Sequence, residues 1–164
     1  MEQALVEAAT ALSLGEFPVG CVLVHDQQVV ARGRRRQSGG GPRPLVNEVD
    51  HAEILALREL LSQHPEIPPR EVTVYATLEP CLMCYATLLI SGVQRIVYAY
   101  EDAMGGGTDL RLDQLKPLYQ GMTVSVTPRI LRDRSLHLFK RFFSGCGTHY
   151  LSGTLLAEYT LAQP

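Results

Sequence analysis

The 164 residues predict one α/β layered domain whose sheet turns mostly parallel after an opening hairpin. Two short runs rich in β-branched residues, 18–24 and 28–33, stand close together near the start of the chain. Further on, each pair of strand-like runs is separated by a helix-like one. An apolar fraction of 46% with 20% charged residues is enough for a single core without covalent staples.

The elements follow in order. Ala4, Leu5, Ala8, Ala9 and Leu12 share a face at helical spacing and Gly15 ends the run, which predicts an amphipathic helix. The runs 18–24 and 28–33 predict two strands joined through His25, Asp26 and Gln27. Residues 34–44, rich in Arg, Gly and Pro, predict an exposed loop. Asp50 is placed to cap a helix that carries Ile54, Leu57, Leu60 and Leu61 on one side and stops at His64-Pro65. Residues 72–77 predict a strand. Pro80 then suits the first turn of a nearly all-apolar, buried helix that runs to Ile90. Strands at 94–100 and 124–127 and a helix at 130–143 complete the pattern. The glycine-rich loop 104–108 follows a strand end, where open α/β sheets place their ligands.

Composition narrows the function classes. The first residues are acidic where a secretory signal needs a basic start, and no apolar run approaches the roughly 20 residues of a membrane span, so a cytoplasmic protein with no membrane partner is expected. Four cysteines are too few for a disulfide framework. Cys21, inside an apolar run, reads as core filling. A net charge of −2 forces no polynucleotide partner, because phosphate binding usually needs an excess of Lys and Arg.

Chemistry concentrates in His51-Ala52-Glu53 at the start of one helix and Pro80-Cys81-Leu82-Met83-Cys84 at the start of the next. Cys81 and Cys84, three apart, face the same way on a helix whose N-terminus favours thiolates. Two thiolates and one imidazole offer three ligands to a zinc ion, leaving the fourth place for water, as in catalytic rather than closed structural sites. Glu53, two residues past the histidine, fits a proton carrier. A closed metal knuckle or a thioredoxin-like pair would also use C-x-x-C after a strand, but neither needs the His-x-Glu one strand earlier.

H-x-E followed by P-C-x-x-C is the signature of the zinc nucleobase deaminases. Together with residues 18–24 and 77–84 it makes the chain resemble the cytidine deaminase superfamily, in the branch of bacterial tRNA adenosine deaminases. The resemblance implies a three-layer α/β/α sandwich with a central five-stranded mixed sheet, a homodimer, and one Zn2+ per chain held by His51, Cys81 and Cys84. It also implies Glu53 as general acid/base and Ala52 as a backbone contact to the base. The helix start at Pro80, through backbone donors, and Arg35 are further substrate contacts expected from this chain's own residues. The deaminase domain is placed at 1–147, and 148–164 as a tail packing on the domain or on a dimer partner.

Arg35 stands where relatives carry asparagine in a Gly-x-Asn setting, and a guanidinium donates but cannot accept. The tail lacks the basic residues of tRNA-specific members, and Met104 replaces a common lysine. The expected activity is therefore hydrolytic deamination of a nucleobase, nucleoside or nucleotide. Adenosine-to-inosine conversion in a tRNA anticodon loop is the alternative, and a non-catalytic zinc module the competing class. Residues 32–36 fit either a solvated loop or a phosphate contact. Cys146 and His149 are spaced like ligands but lack a partner pair. Tyr98 and Tyr100, on one strand face, suit core or pocket wall equally.

Overall fold

The computed structural model describes residues 1–38, 47–145 and 150–164. Its helices are α1 (Glu2–Ser13), α2 (Ala52–Gln63), α3 (Leu82–Ile90), the short α4 (Pro117–Gln120), α5 (Arg132–Phe143) and α6 (Leu155–Ala162). The strands are β1 (Gly20–His25), β2 (Gln28–Arg34), β3 (Thr73–Leu78), β4 (Arg95–Tyr100) and β5 (Ser125–Thr127), in the order β2-β1-β3-β4-β5. β1 is antiparallel to both β2 and β3, whereas β3, β4 and β5 run parallel. The expected five-stranded mixed sheet is present.

The hairpin closes on two residues, Asp26 and Gln27, both at positive φ, the backbone that matches the right-handed twist of the flanking strands. Alternation along β1 then sorts its neighbours. A Cβ at Gly20 would meet Ala4 O and Ala8 N of α1, while one at Gly33 would meet Ala52 O and Ala56 N of α2. Gly33 pairs with Cys21, the next residue after Gly20, so the two helices lie on opposite faces. α5 joins α1, with Leu138 packed on Leu5 and Ala8, and α3 joins α2, giving three layers.

Gly33 ties the sheet to the helix that begins beside His51. Its added Cβ would lie 2.0 Å from Ala52 O, a backbone atom that cannot step aside alone. Gly33→Ala is expected to cost about 3 kcal/mol by overpacking. Because α2 must shift as a unit, zinc affinity should fall with it. Thermal melts and zinc titration check this, and unchanged values for both would mean that α2 tolerates the displacement.

The structure corrects several boundaries. Asp50 does not cap α2: its carboxylate takes Asn47 Nδ2 and Arg58 Nη1, and His51 holds the cap position without a side-chain cap bond. Pro80 lies two residues before α3, one before its cap, Cys81. α5 starts at Arg132, after Arg129 and Leu131 have turned the chain through positive φ. α4 and α6 carry no expectation from the periodicity, although Thr154 caps α6 by accepting from Ala157 N.

α6 docks on its own chain. Leu156 is fully buried, the Tyr100 hydroxyl meets that of Thr160, and Lys140 Nζ donates to the carbonyls of Gln163 and Pro164. Tyr100, packed on Phe139, is core. Cys21 is core as expected. Among the described residues no helix is long and apolar enough to cross a membrane.

Glu101, at the end of β4, clamps this region by accepting from Arg132 and from the Tyr159 hydroxyl. Burial raises its carboxyl, but these hydrogen bonds carry it down to about 2. A carboxylate depressed on folding stabilises above its unfolded pKa, near 4.3, and that stability disappears as pH falls toward the folded value. Glu101→Gln is therefore expected to remove roughly 1–2 kcal/mol of the stability that the parent loses between pH 5 and pH 3, after allowance for partial solvent screening. Urea midpoints at the two pH values read it; parallel lines for the two proteins would exclude the clamp.

Candidate active site

Two helix N-termini meet at the carboxyl end of β3. His51 caps α2 and Cys81 caps α3, and Cys84 lies one turn further along α3. His51 Nδ1 is 3.6 Å from Cys81 Sγ and 3.5 Å from Cys84 Sγ, and the three donor atoms all lie within 4.8 Å of one another. A tetrahedral ion with Zn–S near 2.3 Å and Zn–N near 2.05 Å spaces its nitrogen and sulfur ligands by about 3.6 Å. The donor set fits zinc in softness and in size.

The electrostatics agree. Cys81 is held down at about 4, chiefly by the hydrogen bond from Cys84 and, against burial, by His51. That same bond to Cys81, with burial and the nearby Glu53, pushes Cys84 up. His51 is raised, first by its hydrogen bond with Cys81. Two sulfurs and an imidazole that share protons thus converge in a partly buried place, where a divalent cation would take over the role of those protons. Zinc bound there supplies Lewis acidity that activates a water near neutral pH.

Glu53, in the first turn of α2, is 3% exposed and its Oε2 lies 3.6 Å from Cys84 Sγ. Burial pushes its carboxyl up. It faces a cavity of about 230 Å³ whose walls include Phe17, Val19, Leu78, Ala52 and Met104. His51, Cys81 and Arg35 also line it. Pro80 does not: it is buried beside the cavity, with its carbonyl accepting from Gly107 N.

Arg35 is 2% exposed and already occupied. It donates to Asn47 O, to Glu48 Oε2 at 2.9 Å and to the Tyr150 hydroxyl at 3.2 Å, while its buried Nε has no partner among the described residues. Arg34 pairs with Glu7, Arg32 donates to Gln3, and Arg36 is exposed. Cys146 and His149 lie outside the described residues, as do residues 39–46 of the predicted loop.

Sequence reasoning missed two contributions. Glu79 is buried and accepts from the Thr108 hydroxyl and backbone and from Asp102 N, pinning the glycine loop so that Gly105 reaches the cavity. Its place beside Pro80-Cys81 was the available signal. Tyr150, Leu151 and Leu156 close the other side of the cavity, and only the apolar content of the tail hinted at it.

A sequence profile described as the cytidine and deoxycytidylate deaminase zinc-binding region matches residues 1–100. The chain is similar to the tRNA-specific adenosine deaminase of Agrobacterium fabrum, 36% identical over 143 residues, covering 80% of this chain and 89% of that protein. A solved structure from work on A-to-I editing by tRNA:A34 deaminases at the wobble position of transfer RNA is 31% identical with a TM-score of 0.70, covering 84% of this chain and 96% of that one. A guanine deaminase from Nitrosomonas europaea shares the fold at 19% identity and a TM-score of 0.66, over 86% of this chain and 81% of that one. With its His51, Cys81 and Cys84 donors in place, the chain belongs to the cytidine and deoxycytidylate deaminase superfamily, in its tRNA-specific adenosine deaminase-like branch, and is a zinc-dependent hydrolase of carbon–nitrogen bonds acting on a nucleobase.

Proposed function

We propose that the enzyme converts adenosine to inosine in the anticodon loop of a tRNA, with release of ammonia. The observation that carries this reading is the 36% identity to the Agrobacterium fabrum tRNA-specific adenosine deaminase across most of both chains. The cavity suits one base turned out of a single-stranded loop. His51, Cys81 and Cys84 hold the metal. Glu53 takes the first proton of the attacking water to the ring nitrogen and, once the new carbon–oxygen bond has formed, carries the second to the amine, which leaves as ammonia as the carbon–nitrogen bond breaks. The backbone of Ala52 contacts the base, and the Arg35 Nε–H, without a partner among the described residues, donates to an acceptor on it, a role an asparagine could fill in both directions but a guanidinium in only one. The protein acts as a homodimer, for which the exposed Leu82 and Ile90 of α3 offer apolar surface.

A second reading, deamination of a free base, nucleoside or nucleotide, draws support from the tail residues that narrow the cavity and from the net charge of −2. Both are tested by incubating zinc-loaded protein with an anticodon stem-loop bearing adenosine at the wobble position, and separately with free adenine, guanine, adenosine, guanosine, cytidine and their monophosphates. Inosine in the stem-loop, with binding that weakens as salt rises, is the expected result. Ammonia from a free compound and none from the stem-loop would replace the first reading by the second.

A further inference from the structure

We propose that Glu48 is a positioning residue for the metal ligand His51, and that the C-terminal segment holds it in place through Tyr150. His51 turns Nδ1 toward the two sulfurs, so its Nε2 is the free ring atom, and Glu48 Oε2 lies 3.6 Å from it. The same Oε2 accepts from Arg35 Nη2 at 2.9 Å and from the Tyr150 hydroxyl at 3.0 Å. Glu48 itself is more than half exposed, so among the described residues it is these donors that keep its carboxylate beside the imidazole.

The donors are firmly held. Arg35 is buried against the Tyr150 ring, 5.5 Å from its centroid, and that ring packs on Phe17 at 5.3 Å. Buried Arg35 needs a nearby anion, and Glu48 supplies it. A carboxylate facing the outer nitrogen of a ligating histidine fixes the tautomer and the ring orientation, and makes the inner nitrogen a better donor. Arg35 and the tail thereby act on the metal through Glu48, in addition to any contact with substrate.

The test compares zinc affinity of folded apoprotein by chelator competition, alongside the apoprotein melting temperature. Glu48→Gln is expected to weaken zinc by about 10–100-fold, the usual effect of losing a partner of a ligating histidine. Tyr150→Phe, which keeps the ring packing and loses only the hydroxyl, should weaken it a few-fold, with little change in the apoprotein melt. Cobalt-substituted protein should show a shifted ligand-field spectrum in both variants. Parent-like zinc affinity in Glu48→Gln overturns the proposal. So does parent-like affinity and spectrum in Tyr150→Phe, which decides the matter should Glu48→Gln fail to fold.

Discussion

Glu53→Gln is expected to keep one zinc per chain and the parent melting behaviour while slowing deamination by about 10²–10⁴-fold, the usual share of a positioned general acid/base. The amide has the shape of the protonated carboxyl, so the packing of this 3% exposed side chain against the cavity is preserved. It also keeps a hydrogen-bond donor toward the base. What it loses is the ability to take up a proton and hand it on. Among the described residues no Lys or Arg pairs with Glu53, so its removal strands no buried cation there and the fold gains or loses little. Single-turnover ammonia release, with zinc quantified in the same samples, reads both halves. Turnover within tenfold of the parent would remove Glu53 from proton transfer, and loss of zinc would make it part of the metal site instead.

Much of the site was legible because its residues are local in sequence. His51 and Glu53 are two apart, Cys81 and Cys84 three apart, and each pair sits where a helix starts, so spacing alone aims them. The strands were legible for a similar reason: runs such as 94–100 are apolar and bounded by turns. What stayed hidden depends on distant pairings. Arg35 read as part of a basic run that was either solvated or in contact with substrate, and its contacts with Glu48 and Tyr150, 13 and 115 residues away, could not be seen in that run. Glu79 carried no expectation of its own, because its role depends on the distant loop that folds onto it. α6 is apolar on all sides, so its periodicity gave no direction, and its docking on Tyr100 and α5 is a tertiary fact. Cap positions slipped by one or two residues because Asp50 met Arg58 and left the cap to His51.

Zinc should be a large part of what holds α2 and α3 together. A ligand that binds only the folded chain stabilises it by about 4 kcal/mol when its free concentration is a thousand times the dissociation constant. For a chain of this length that is about 8–16 °C in melting temperature. Chelation is expected to lower the melt by that order, and Cys84→Ser should start near the chelated value and respond little to chelator, since a hydroxyl is a poor replacement for a buried thiolate ligand. Cys21→Ser is the control. Cys21 is equally buried, but it stands in β1 outside the His51 cluster, with burial pushing its thiol up. That variant should lose stability by burying a hydroxyl in the core and still show the full response to chelator. A Cys84→Ser protein that retained one zinc and the full response would break the assignment of ligands, because the remaining described donors, His51 and Cys81, are too few to hold the ion at that strength.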